Sequence, residues 1–202
     1  MGRLPLAMLM SLVTATAGFG QNQGAVPRAI PLPDTLGANF AVTDTLTGRS
    51  GPADYDFLVG TWRFTFQARQ PDGSFTAPFT GHWVFTRKQT GGQGVLLEDH
   101  WRPDDPSATW DAGTWTYRAY TPERRLWEMQ GINTNAGAWQ PGLMWSAGAD
   151  RLLTEWYGTM LVRFRYFAIE PDRFLWRADA TFDRGRTWVR DYWTMEVHRI
   201  SR

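Results

Sequence analysis

The stretch Asp56–Phe66, DFLVGTWRFTF, decides how the rest of the chain is read. Trp62, Phe64 and Phe66 alternate with Arg63, Thr65 and Gln67, the period of a strand with one buried face. A Gly60-x-Trp62 step heads this alternation, in a chain that spends 12 of its 202 residues on tryptophan. Either the tryptophans build a core that Gly60 and Trp62 close at one end, or they line a site where the rings of a ligand stack.

Working outward, the same texture continues. Pro71-Asp72-Gly73 supplies a turn, and Gly81, Trp83 and Phe85 then alternate with His82, Val84 and Thr86. The glycine-rich run Gly91-Gly92-Gln93-Gly94 has neither the lysine nor the following helix of a phosphate loop and reads as a hairpin turn. Beyond it come VLLEDHW, TWTYRAY, RLWEMQG, LMWSAG, RLLTEWYG, TMLVRFRYFAI, RFLWRADATF and TWVRDYWTMEVHR, separated by short polar or proline-containing turns. Helical spacing of apolar residues is never sustained without an interrupting glycine or proline. Consecutive short strands with tight turns make an antiparallel meander, and closing it removes exposed sheet edges. The expectation is an all-β fold, an antiparallel up-and-down barrel of about eight to ten strands over residues 54–202.

The far end of the chain matches the opening. In the last strand Trp193, Met195 and Val197 share the inward face, and Arg199 follows on the same side. Its guanidinium is expected to lie over Trp62 and to bond the carbonyls of the segment entering the first strand. Between the last two strands, TFDRGRTW (Thr181–Trp188) fits an Asp-box pattern. Asp183 accepts backbone N–H groups, Gly185 supplies a positive φ and Trp188 packs over the hairpin. A single copy without blade-length repeats reads as a turn staple, not a propeller.

These residues together, DFLVGTW, the penultimate hairpin and the closing aromatic strand ending in Arg199, resemble a bacterial lipocalin-like family of unknown function. More distantly they are similar to the calycins: lipocalins, fatty-acid-binding proteins and nitrobindins. The resemblance covers roughly residues 54–200 and implies a barrel with an internal cavity and no assigned reaction.

Composition bounds the partners. Hydrophobic residues are 43%, charged residues 20% and the formal net charge is +1, which suits a globular protein and disfavours nucleic acid as a default partner. Arg3, the apolar run Leu4–Val13 and Ala15-Thr16-Ala17 read as an export signal over residues 1–20, too short to span a bilayer as a helix. The address expected is periplasmic or secreted. Residues 21–53, with Pro27, Pro31, Pro33 and Pro52, read as an N-terminal arm or linker. With no cysteine, stability must come from the core.

The barrel interior is the expected site for a small hydrophobic molecule. Its lining is read as Phe64, Phe66, Trp83, Phe85, Trp115, Tyr117, Trp176, Trp193 and Met195, above the plug Trp62. Trp101, Trp110, Trp127, Trp139 and Trp145 are less clearly inward; some rim the mouth and some cover the outer face. No catalytic residues are assigned. The alternative is an isomerase or lyase using the pocket, with Glu98 and His100 on one face of a strand and Asp99 on the other. His82, His100 and His198 lack metal-ligand spacing. Haem held through His198 is disfavoured, because alternation turns His198 outward with Thr194 and Glu196. No cofactor or metal is expected.

Overall fold

A computed structural model of the protein describes residues 50–90, 94–108, 113–133 and 138–202. The proposed export signal, most of the arm and Trp110 lie outside the described residues. Ten strands follow one another: β1 (Gly60–Ala68), β2 (Phe79–Gln89), β3 (Val95–Pro103), β4 (Thr114–Thr121), β5 (Leu126–Asn133), β6 (Ala138–Ala147), β7 (Asp150–Tyr157), β8 (Met160–Phe167), β9 (Arg173–Thr181) and β10 (Val189–Ser201). Each pairs antiparallel with the next, and β10 returns to β1 to close the barrel. Two single 3-10 turns, Asp56–Leu58 and Pro106–Ala108, are the helical elements among the described residues. None of these is long and apolar enough to cross a membrane.

The up-and-down order divides the barrel into two ends. One end holds the chain segment entering β1, the even-to-odd connections from β2–β3 to β8–β9, and the end of β10. It is closed by a layer of rings. Trp62, Tyr55, Leu58 and Phe174 are completely buried there. Trp62 meets Phe174 edge-on at 4.9 Å between centroids, and Tyr55 meets Trp127 at 5.5 Å. The polar atoms of this layer find backbone partners, as buried donors must. The Trp62 indole donates to the Leu58 carbonyl at 2.6 Å. The Tyr55 hydroxyl lies between the carbonyls of Trp145 (2.9 Å) and Leu152 (3.0 Å).

Arg199 caps this layer. The regular β1–β10 register sets Arg199 directly opposite Trp62, and it slips by one residue just beyond, at Thr61. Its guanidinium carbon stands 3.9 Å from the indole centroid. Its three nitrogens donate to the carbonyls of Pro171 (2.6 Å), Val59 (2.6 Å) and Phe57 (2.7 Å). Gly60 has φ +125°, and a Cβ there would stand 2.5 Å from the Ser201 carbonyl oxygen and 2.7 Å from Arg199 Nη1. The Gly-x-Trp step is therefore architecture: the glycine admits the end of β10, and the tryptophan is the plug.

Residues 50–53, the end of the expected arm, bond to the same end of the barrel. Ser50 donates its N–H to Arg125 O at 3.0 Å and accepts from the Tyr120 hydroxyl at 3.0 Å. Trp127 donates to Gly51 O at 3.1 Å. On the outer face of β5–β8 a second apolar cluster joins Leu126, Leu143, Trp145 and Leu161, with Leu152, Trp156 and Trp188 packed on it.

At the other end, Asp183 organises the β9–β10 connection. Its carboxylate accepts from the Thr187 N–H and the Thr181 hydroxyl at 2.9 Å each, and from the Thr187 hydroxyl at 2.7 Å. The Thr187 bonds, with help from Thr181, hold the Asp183 carboxyl down at about 2. Gly185 supplies the positive φ of +88° that the turn requires. Trp188 lies against Arg163 on the outer wall, with the guanidinium carbon 4.7 Å from its ring.

Candidate functional site

Above the plugged end, the interior is not filled. A cavity of about 80 Å³ lies between the ring layer and the end carrying the β1–β2, β3–β4, β7–β8 and β9–β10 connections. Its apolar wall includes Phe66, Trp101, Phe164, Trp176, Trp193 and Met195. A single water needs roughly 10–15 Å³, so the space exceeds a packing defect. Pockets for drug-sized molecules run to about 300–1,000 Å³ and a cavity of roughly 150 Å³ takes benzene, so this one encloses a small fragment or one end of a larger molecule.

The aromatic wall is built by inward alternation on neighbouring strands. Gly81 on β2 makes room for Phe64, whose Cζ would stand 2.2 Å from a Cβ at that position. Phe64 can then stack on Trp101 at 4.9 Å and 9°. On the facing wall Phe164, Trp176 and Trp193 form a stepped stack, with centroids 4.8 Å and 6.1 Å from Phe164.

One side of the cavity is charged. Asp99 (β3), Arg118 (β4) and Glu155 (β7) all line it and all are buried. Arg118 is ion-paired to Asp99. Asp99 also accepts the Trp83 indole N–H at 2.5 Å. Burial pulls the Arg118 pKa below the usual arginine value, and the nearby Tyr166 and Glu155 oppose that shift. Burial pushes the Tyr166 hydroxyl up, against the pull of Arg118 and of the Trp176 N–H. Although both donors lie close to the Tyr166 oxygen, neither Tyr166 Oη nor Trp176 Nε1 makes a hydrogen bond of proper geometry. The same holds for Arg118 Nε.

Of the expected lining, Phe66, Trp83, Trp176, Trp193 and Met195 border the cavity. Phe64 and Phe85 are buried in the surrounding core without bordering it. Trp115 and Tyr117 are corrected: both stand on the outer wall, each 39% exposed. On β4 the inward positions are Thr116 and Arg118, and register opposite Asp99 places Thr116 beside it. Interior ion pairing has overridden the rule that the larger apolar side chains turn inward. Trp115 instead stacks on His100 outside, at 4.2 Å and 4°.

The pocket placement of Glu98 and His100, on which the enzyme alternative drew, is corrected likewise. Alternation puts Leu97, Asp99 and Trp101 inward, so Glu98 and His100 stand outside, Glu98 3.5 Å from Lys88. His198 is also on the outer wall, 55% exposed and 3.0 Å from Glu196. Trp101 lines the cavity, Trp127 is interior, Trp145 belongs to the outer cluster, and Trp139 is 61% exposed.

Sequence reasoning missed Arg118 and Glu155 as interior groups. Asp99 had a usable signal, since it shares its face with Leu97 and Trp101. Arg118 had none, because its own strand offers a more apolar face on the other side.

No protein-family model matches the sequence, and no curated protein matches it either. Among solved structures the chain is similar to the S-type phycobiliprotein lyase CPES from Guillardia theta. The TM-score is 0.50 at 11% identity, over 84% of this chain and 98% of that one. A fainter likeness is to Rv2717c from M. tuberculosis, with TM-score 0.45 and 14% identity over 74% of this chain and 98% of that one. At such identity the likeness to CPES is one of fold alone.

Proposed function

We propose that the protein is an exported, non-enzymatic binder that holds a small, largely apolar molecule inside its barrel. The observation that carries this is the aromatic cavity between the Trp62 plug and the opposite end. Its rings offer flat apolar surface already fixed by packing, so little side-chain freedom is lost on binding. Asp99 and Arg118 are paired with each other, and the aromatic side supplies most of the contact surface. The name of the similar structure includes "lyase"; with so distant a likeness, that supports the barrel and not a reaction.

A ligand of about ten heavy atoms, at roughly 0.6 kcal/mol each, binds with about 6 kcal/mol. That corresponds to a dissociation constant of tens of micromolar. The test is native mass spectrometry of protein purified without denaturation, paired with quenching of tryptophan emission by an apolar probe. A co-purified mass or saturable quenching in that range supports the reading. A bare protein that no apolar probe quenches rejects it. Export rests on residues 1–20. Fused to a phosphatase that is active only outside the cytoplasm, they are expected to yield an active enzyme, and an inactive fusion removes that part.

A further inference from the structure

We propose that the ligand is uncharged and presents a carbonyl-type oxygen to the donors of Arg118, Tyr166 and Trp176. This deepens the binding reading above and rests on it.

Three other ligand classes compete with it, and the charged wall separates them. A carboxylate would approach Arg118, the one guanidinium lining the cavity among the described residues. That guanidinium is already ion-paired to Asp99, and Glu155 also lines the space. An anion would therefore enter a buried site where two carboxylates already face one guanidinium, and like charges repel most where water is excluded. An ammonium would relieve the excess of carboxylates, but it carries only N–H donors and leaves the donors of Tyr166 and Trp176 without an acceptor. A pure hydrocarbon would suit the rings and leave those donors as they are.

The donors are the deciding feature. Arg118 Nε, Trp176 Nε1 and the Tyr166 hydroxyl are buried, belong to cavity-lining residues and make no hydrogen bond of proper geometry, although Arg118 and Trp176 lie against the Tyr166 oxygen. Buried polar groups of native proteins almost always have partners, so three such groups at one place ask for an acceptor. The Tyr166 oxygen serves as acceptor for at most its two neighbours, and its own proton remains to be donated. An oxygen with lone pairs and no charge fits: a ketone, aldehyde, amide or lactam. The rest of such a ligand, if planar, lies among Phe66, Trp101, Phe164 and Trp193.

The experiment uses a matched series on the full chain: 1-indanone, indane, indane-1-carboxylate and 1-aminoindane, titrated by calorimetry. Infrared difference spectra follow the indanone carbonyl. We expect 1-indanone to bind at least about tenfold tighter than indane, the size of a charge-assisted hydrogen bond. The carboxylate and the amine should bind more weakly than the ketone, and the carbonyl stretch should move to lower wavenumber. In Tyr166→Phe and Trp176→Phe the preference for the ketone over indane should shrink several-fold while indane still binds. If either variant fails to fold, the infrared shift in the unaltered protein decides. Equal binding of indanone and indane with an unshifted carbonyl overturns the inference and leaves the apolar binder intact. Tightest binding by the carboxylate or the amine overturns it in favour of a charged ligand. Binding of none of the four overturns it together with the binding reading.

Discussion

Replacing Arg118 by methionine tests whether the charged wall is truly desolvated. The side chain keeps its approximate length and apolar stem but loses the charge. Arg118 and Asp99 are both almost fully buried, and Asp99 keeps only the Trp83 N–H among its identified partners once the guanidinium is gone. Breaking a buried pair on one side costs about 3–5 kcal/mol, because the remaining charge stays buried without a counter-ion. For a domain of this size each kcal/mol shifts Tm by roughly 2–4 °C, so the expected fall is roughly 6–20 °C. The loss should depend on pH. Without the cation, burial raises the folded-state pKa of Asp99 above its unfolded value of about 3.9. The penalty is thus absent below pH about 4 and grows as pH rises through the folded pKa. Asp99→Asn with Arg118→Met retains an acceptor for Trp83 and removes the stranded charge, so the double variant should recover more than half of the loss. The assay is urea unfolding at pH 4 and pH 7.5, with the slope monitored for changes in the unfolded state. Full stability of the single variant at pH 7.5 with an unchanged slope would show that water reaches the pair, and the desolvated wall would have to be abandoned.

Other consequences are local. Arg199→Lys keeps the charge but cannot reach the Pro171, Val59 and Phe57 carbonyls together; a loss of about 1.5–3 kcal/mol in urea unfolding is expected, and an unchanged midpoint would remove its role as the cap. Gly81→Ala would set a methyl 2.2 Å from Phe64 and 2.3 Å from the Arg102 carbonyl oxygen, so overpacking of about 1–3 kcal/mol should appear by the same assay. The Asp183 carboxyl is depressed to about 2; its contribution is full above the unfolded pKa and lost as pH falls through about 2. Amide exchange at Thr187 should therefore quicken on acidification beyond the intrinsic trend, and a flat protection profile would argue against the carboxylate bonds.

What the sequence made legible follows the simplest periodicity. In β1, Trp62, Phe64 and Phe66 are the only large apolar groups of their strand, so alternation gives their side without ambiguity. The turn at Asp183 and the pairing of Arg199 with Trp62 depend on nearby or terminal residues with distinctive chemistry. β4 resisted because both of its faces are plausible: TWTYRAY offers Trp115 and Tyr117 on one side, Thr116 and Arg118 on the other. Only the partner across the sheet, Asp99, decides between them. β7 is ambiguous in the same way, since Leu152 and Trp156 flank Thr154 on one face while Leu153 and Tyr157 flank Glu155 on the other. A buried ionic group is legible in a sequence when its strand neighbours are apolar on one face only. Here two of the three had neighbours that were apolar on the wrong face or on both.

The central claim is that the barrel holds a ligand between the Trp62 plug and the opposite end. Met129 and Met195 both line that space. Protein labelled with carbon-13 in its methionine methyl groups, saturated with 1-indanone, should give intermolecular nuclear Overhauser contacts from the ligand to both methyls. Contacts confined to other methyls, or none at saturation, would contradict an interior site.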